Sequence, residues 1–190
     1  MSSKWVTFFS QTGSEIAQIS SALGRWPDLV VTNRGNLEDV NNELKSSCWD
    51  KIYQLPKWPK EVDYLNVADK LGYSILNEKW FDDVIVTLHG YLRILPEEFC
   101  DSSKVYNGHP GLITKYPELK GFNPQAKVWN SPINYEDVGC VIHEVIPELD
   151  SGKVIATDSI ENTFDSLSEL TLQLHSMSIN LWTNFLKNKI

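Results

Sequence analysis

Cysteine, basic residues and long apolar runs are all in short supply in this sequence, and each shortage narrows what the chain can be. Cys48, Cys100 and Cys140 are odd in number and far apart, which argues against a disulfide framework and for a reducing compartment. No cysteine or histidine cluster has zinc-ligand spacing, so no metal is expected. Lysine and arginine total 17 against 25 acidic residues, a net charge of −8. Broad nucleic-acid binding needs a basic footprint, so no nucleic-acid partner is expected. No window approaches the roughly 20 apolar residues that span a bilayer, and no membrane partner is expected either. The opening Met1-Ser2-Ser3-Lys4-Trp5 leads into a run too short and too quickly polar for a signal peptide. Together these absences predict a cytoplasmic protein.

What is present reads as one ordinary globular domain over residues 1–190, with 42% hydrophobic and 22% charged residues. Trp5–Phe9 reads as a buried first strand, and Gln11-Thr12-Gly13-Ser14 as the turn after it. Ser14 can cap a helix over Glu15–Leu23, whose Ile16, Ile19 and Leu23 share one face. Strands follow at Leu29–Asn33 and Lys51–Leu55, with polar helical stretches at 37–47 and 60–71. Val84–Leu88 is a continuous apolar run, the mark of a central parallel strand buried on both faces. Val154–Ile160 is a further strand. Ser166–Leu186 closes as an amphipathic helix with Leu167, Leu170, Leu174, Met177 and Leu181 at core spacing. This alternation predicts an α/β domain with a mostly parallel, doubly wound sheet of Rossmann type.

The chemistry concentrates where strands break. Val105-Tyr106-Asn107-Gly108-His109-Pro110-Gly111 runs from β-formers into a Pro-Gly turn. Side chains two apart on an extended segment share a face, so Asn107 and His109 project together. An amide and an imidazole so placed can both donate to one developing oxyanion. Taken alone, these are also ordinary turn residues. Further on, Val138–Val145 is strand-like and leads into the acidic loop Pro147-Glu148-Leu149-Asp150-Ser151-Gly152. Earlier lies Leu88-His89-Gly90-Tyr91-Leu92-Arg93-Ile94-Leu95-Pro96, beyond the carboxyl end of a central strand, where open α/β sheets bind ligands.

In their order and spacing, the segments Gly90–Leu95, Asn107–Gly111 and Asp150–Gly152 resemble the folate-dependent formyltransferases, which carry a G-[FY]-x-R-I-L segment, an N-x-H-P-G or N-x-H-P-S core and a D-x-G loop. The likeness is strong over residues 82–160 and looser outside them. It extends to the glycinamide ribonucleotide and sugar-nucleotide types. It implies a formyltransferase-like Rossmann-type fold, 10-formyltetrahydrofolate as formyl donor, and Asn107, His109 and Asp150 as catalytic residues. It places His89, Gly90, Tyr91, Leu92, Arg93, Ile94 and Leu95 against the donor, with Cys140 and Leu149. Read on their own, Cys140 is a small buried hydrophobe, and Arg93 serves equally well as a surface anchor for the following Pro-Glu-Glu. His143 reads as a structural histidine, and His175 faces the acceptor side.

The acceptor side carried over from the resemblance comprises Thr12, Gly13, Ser14, Glu15, Gly108, Pro110 and Gln125. Gln125 belongs to the Tyr116–Gln125 segment, which reads equally as a surface loop entering a helix. Two departures stand out. Glu15 occupies a place where the purine-pathway enzymes carry an amide beside a phosphate, and it either points away to complement the helix dipole or points inward. The acid expected on the last helix is missing, with Gln173, Leu174, His175 and Ser176 in its neighbourhood. The expected function is therefore formyl transfer to a primary amine of a small sugar- or nucleotide-like acceptor. The alternatives are glycinamide ribonucleotide formylation in purine synthesis, a non-catalytic folate- or nucleotide-binding protein of the same fold, and hydrolysis of the donor. Methionyl-tRNA formylation is disfavoured by the acidic charge. The oligomeric state is left open, a homodimer included.

Overall fold

All but the first residue of β1 (Lys4–Phe9) is buried, because this strand sits inside the sheet with helices on both faces. The computed structural model of the chain describes residues 3–71 and 83–190. Met1 and Ser2 of the opening stretch, and residue 82 of the resembling span, lie outside them. The other strands are β2 (Leu29–Thr32), β3 (Ile52–Gln54), β4 (Val84–Leu88), β5 (Lys104–His109), β6 (Asp137–Glu144) and β7 (Val154–Glu161). They form one sheet in the order β3-β2-β1-β4-β5-β6-β7. Pairing is parallel from β3 to β5, and β6 and β7 are added antiparallel. The expected mostly parallel, doubly wound sheet is observed.

The chain leaves β1 toward β2 on one side and returns to β4 on the other. The loops after β1 and β4 therefore diverge, which opens a crevice beyond their carboxyl ends. The helices are α1 (Ser14–Leu23), α2 (Asn42–Cys48), α3 (Glu61–Lys70), α4 (Glu97–Ser102), α5 (Pro124–Asn130) and α6 (Leu167–Leu186). Strand alternation sorts the cores. Val6, Phe8 and Val86 pack with Tyr64 of α3 and Phe99 of α4. On the opposite face Trp5, Ile85 and Ile142 pack with Ile19 of α1 and with Trp182 and Leu186 of α6.

Three elements differ from expectation. The helix expected over 37–47 begins at Asn42, because the Asn41 side chain accepts from the Leu44 amide and caps it there. The third strand is shortened to Ile52–Gln54 by a 3₁₀ turn over Trp49–Lys51. The short helix α4, entered through Pro96, had no periodic pattern long enough to announce it.

The β6–β7 pairing depends on Gly139. A Cβ there would overlap the Asp158 carbonyl oxygen of β7 and lie 2.8 Å from the Leu112 side chain. Gly139→Ala is accordingly expected to lower the urea-unfolding free energy by about 2–3 kcal/mol, the usual cost of overpacking.

Candidate active site

Asn107 and His109 end β5 on one face, as their two-residue spacing requires. Because β6 runs antiparallel, its residue directly opposite Asn107 is His143. The β6–β7 loop then folds back and brings Asp150 against all three. Asp150 adopts a left-handed conformation (φ 48°), a region that only short polar residues and glycine visit readily. Its Oδ2 accepts from the Gly121 amide at 2.8 Å and lies 3.4 Å from His109 Nδ1. Its Oδ1 lies 3.4 Å from His143 Nε2 and 3.5 Å from Asn107 Nδ2.

The hydrogen bonds fix which atoms carry protons. His109 Nε2 faces the Leu119 carbonyl at 2.9 Å, so that nitrogen donates. Nδ1 then turns toward the Asp150 carboxylate and holds a proton only in the imidazolium. His143 Nδ1 faces the Glu144 carbonyl at 2.8 Å and donates to it. In the neutral ring, Nε2 accepts from Asn107 Nδ2 at 3.1 Å; in the imidazolium it donates to Asp150. The Asn107 amide is thus oriented with its nitrogen inward, and its second N–H is held only by the long 3.5 Å contact to Asp150 Oδ1, weak enough to be given up to a stronger acceptor in the cleft.

Burial by itself would raise the Asp150 pKa. The His143 hydrogen bond, the Gly121 amide and the charges of His109 and His143 reverse this and bring it to about 2. For His109 burial prevails instead. Burial lowers its pKa, and the Asp150 carboxylate and Leu119 carbonyl offset this only in part. At 3.4 Å the carboxylate is too distant to hold the imidazolium as the resting form near neutrality. Closing that gap on substrate binding would shift the balance toward it.

A cleft of 730 Å³ contains these four side chains, within the size range of small-molecule sites. Its apolar lining includes Leu92, Ile94, Phe122, Ile146 and Leu149. Ile94 is 71% and Phe122 77% exposed, large apolar side chains held open beside a cleft, as expected for groups that close on a flat ring. Of the other expected donor residues, Gly90, Tyr91, Arg93 and Leu95 line the cleft. Arg93 does not anchor the Pro-Glu-Glu segment. Its guanidinium stacks 4.1 Å from the Trp58 ring, and its Nε donates to the Lys57 carbonyl.

His89 and Cys140 are corrections. Alternation along β4 turns Thr87 and His89 toward α1 and α6, so His89 is buried against Glu15 and Thr87 rather than in the cleft. Cys140 points from β6 under α6, where its Sγ donates to the Leu174 carbonyl. On the acceptor side Gly108, Pro110 and Gln125 line the cleft. Gln125 lies in the first turn of α5, so the segment both shapes the pocket and enters a helix. Thr12, Gly13 and Ser14 are not among the lining residues; the neighbouring Gln11 is. Glu15 points inward, but its two oxygens meet His89 and Ser178 instead of the cleft. His175 of α6 is likewise absent from the lining.

Sequence reasoning missed His143, Gln11, Phe122, Ile146 and Thr171, all of which line the cleft. The signal for His143 was its alternation partner Val141 on a strand beside the N-x-H core, but only the antiparallel register places it opposite Asn107.

Residues 28–182 match the formyl transferase family. The chain is 30% identical over 161 residues to a phosphoribosylglycinamide formyltransferase from Dictyostelium discoideum, covering 74% of each. It is 25% identical over 147 residues to the chicken trifunctional purine biosynthetic protein adenosine-3, of which it spans only 14%. The fold is similar to the crystal structure of phosphoribosylglycinamide formyltransferase from Campylobacter jejuni, with a TM-score of 0.78 at 22% identity, covering 97% of this chain and 95% of that one. The match over most of the chain, with a relative that it parallels along three quarters of its length, shows that the protein belongs to the folate-dependent formyl transferase family, in which 10-formyltetrahydrofolate is the formyl donor.

Proposed function

We propose that the protein transfers the formyl group of 10-formyltetrahydrofolate to a primary amine of a small acceptor, with glycinamide ribonucleotide as the acceptor best supported. The observation that carries transfer, rather than binding alone, is the convergence of Asn107, His109, His143 and Asp150 within one cleft. Bound there, the folate supplies a formyl group on a nitrogen able to depart once protonated. Asn107 offers an N–H to the formyl oxygen as negative charge grows on it. His109 Nε2 is held by the Leu119 carbonyl, so its role is at Nδ1: protonated there beside Asp150, it can release that proton to the departing nitrogen. Asp150 stays ionised throughout neutral pH and can receive the proton that the attacking amine loses. His143 keeps the Asn107 amide from flipping.

The acceptor assignment rests on the relatives' names together with the placement of Glu15. A carboxylate facing the Gln11–Ser14 turn would repel a phosphate. Glu15 is instead turned toward His89 and Ser178, which removes that objection to a ribonucleotide. A sugar-nucleotide amine is the second reading, because Leu174, in the neighbourhood of the missing helix acid, is fully in the core and offers nothing to a ribose.

Release of tetrahydrofolate from 10-formyltetrahydrofolate decides among these readings. Release is expected with glycinamide ribonucleotide and not without amine. Release only with amino-sugar nucleotides would move the assignment to the second reading. Release without any amine would indicate hydrolysis, and donor binding with no release for any amine would indicate a binding protein. Asn107→Ala should lower turnover by about 10²–10³, the usual cost of one oxyanion donor, and Asp150→Asn by about 10²–10⁴, the usual cost of a positioned acid–base group, both with unchanged far-ultraviolet circular dichroism. A folded variant that keeps most of its turnover would refute the mechanism.

Asp150 also ties stability to pH. Its folded pKa of about 2 lies below the ordinary 3.8, so it stabilises the fold above pH 4 and loses that contribution as pH falls through 2. The loss amounts to roughly 2 kcal/mol. Urea titrations across that window should show the loss in the wild type and its absence in Asp150→Asn.

A further inference from the structure

Behind the cleft runs a chain of polar groups that the proposed reaction does not use. Trp5 Nε1 can only donate, and it does so to Thr87 Oγ1 at 2.9 Å. The Thr87 hydroxyl lies 2.9 Å from His89 Nε2 and 3.5 Å from the Val6 carbonyl, so its proton goes to the imidazole. His89 is then protonated on Nδ1, which donates to Glu15 Oε2 at 2.8 Å. Ser178 Oγ donates to Glu15 Oε1 at 2.6 Å. Every donor in the series has one acceptor. Although burial would raise the Glu15 pKa, the hydrogen bonds from His89 and Ser178 help to bring it below the ordinary value.

The series joins β1, β4, α1 and α6, and each end abuts a segment of the cleft. His89 directly precedes Gly90–Leu95. Glu15 follows the turn that begins at Gln11, and Gln11 in turn packs on Gly90. The helix α6, which carries Ser178, supplies Thr171 to the cleft. The same helix supplies Trp182, whose ring lies 4.8 Å from that of His89. The Trp182 Nε1 is buried without a hydrogen-bond partner. It lies 2.5 Å from where a Cβ on Gly108 would stand, directly behind Asn107 and His109.

We propose that Glu15, His89 and Ser178 form a positioning clasp that locks the Gly90–Leu95 segment, the Gln11–Ser14 turn and α6 to one another, so that donor and acceptor sides are held in register. The proposal rests on the formyl-transfer reading for its kinetic consequences, but not for its structural ones. Glu15 acts through these segments and touches neither substrate. The Glu15 carboxylate carries the hydrogen bonds that tie α1 both to His89 at the end of β4 and to Ser178 of α6, so its removal breaks both at once.

The test compares wild type with Glu15→Ala, Glu15→Gln and Ser178→Ala. Calorimetry reads 10-formyltetrahydrofolate affinity without acceptor, and steady-state kinetics read acceptor KM and kcat. In Glu15→Ala, donor affinity and acceptor KM are expected to worsen together by about tenfold, in the range that small misplacements cost. Glutamine should restore both to within about threefold, since its carbonyl can accept from His89 and its amide can donate to Ser178. A role in stability alone would lower Tm and leave both constants unmoved. Hydrogen exchange on the ligand-free protein supplies a readout independent of the reaction: amides of Gly90–Leu95 and Gln11–Ser14 should lose protection together in Glu15→Ala. Should that variant fail to fold, Ser178→Ala, which removes one donor only, carries the same comparison with a smaller effect. Unchanged exchange in either segment, or donor affinity within about twofold of wild type in a folded alanine variant, would overturn the clasp. Wild-type protein with no turnover on any amine would count against the function while the exchange data still decide the clasp.

Discussion

The Asp150 carboxylate is the group on which the site depends. It meets both imidazoles, the Asn107 amide and the Gly121 backbone N–H. A charge buried this far is tolerated only when its oxygens are satisfied. The backbone at Asp150 takes a left-handed conformation to reach them, at a cost of order 1 kcal/mol or more. The Gly121 amide helps to offset that strain, since hydrogen bonds to charged groups are among the stronger ones. Asp150 therefore sets where the loop after β6 must lie, and the loop in turn brings Leu149 and Ile146 to the cleft.

The sheet makes that convergence possible by changing direction once. Parallel β4 and β5 both end at the same edge of the sheet, which delivers Gly90–Leu95 and Asn107–His109 side by side. A further parallel strand would have brought only its own carboxyl end to that edge. Antiparallel β6 instead passes His143 alongside Asn107 and exits past the start of β5, where the Val145 amide bonds to the Val105 carbonyl. The hairpin to β7 then returns toward His109 carrying Asp150. One reversal gives two residues of the site, His143 from the strand and Asp150 from the turn.

How much of this was legible in the sequence follows from the range of the interactions. Buried strands such as Val84–Leu88 and the periodic helix α6 are local patterns, and they emerged with boundaries close to those observed. Asn107 and His109 were legible because two-residue spacing on a strand is also local. His89 was misplaced because facing was not followed through: on a strand bordered by α1 and α6, alternation sends Thr87 and His89 to the helix side. His143 was read as structural because its partner is set by antiparallel register, which joins residues 36 apart and which alternation along β6 does not specify. Glu15 belongs to the same class, since Ser178 lies 163 residues away.

Two acid–imidazole pairs in this one domain show what separates a fixed contact from a reactive one. Glu15 and His89 are 2.8 Å apart, and the outer nitrogen of His89 is committed to the Thr87 hydroxyl. Each proton there has a single place, and moving one would break a chain of hydrogen bonds. His109 and Asp150 are 3.4 Å apart, and the same carboxylate faces a second imidazole at the same distance. The two rings face different oxygens of Asp150, and at these distances neither contact is a short hydrogen bond that would pin a proton in place. The first pair can hold segments in place because its protons are settled. In the proposed mechanism the second passes a proton between donor and amine, which its longer contacts leave free to move, and such a site gains by placing the rigid pair directly behind the labile one.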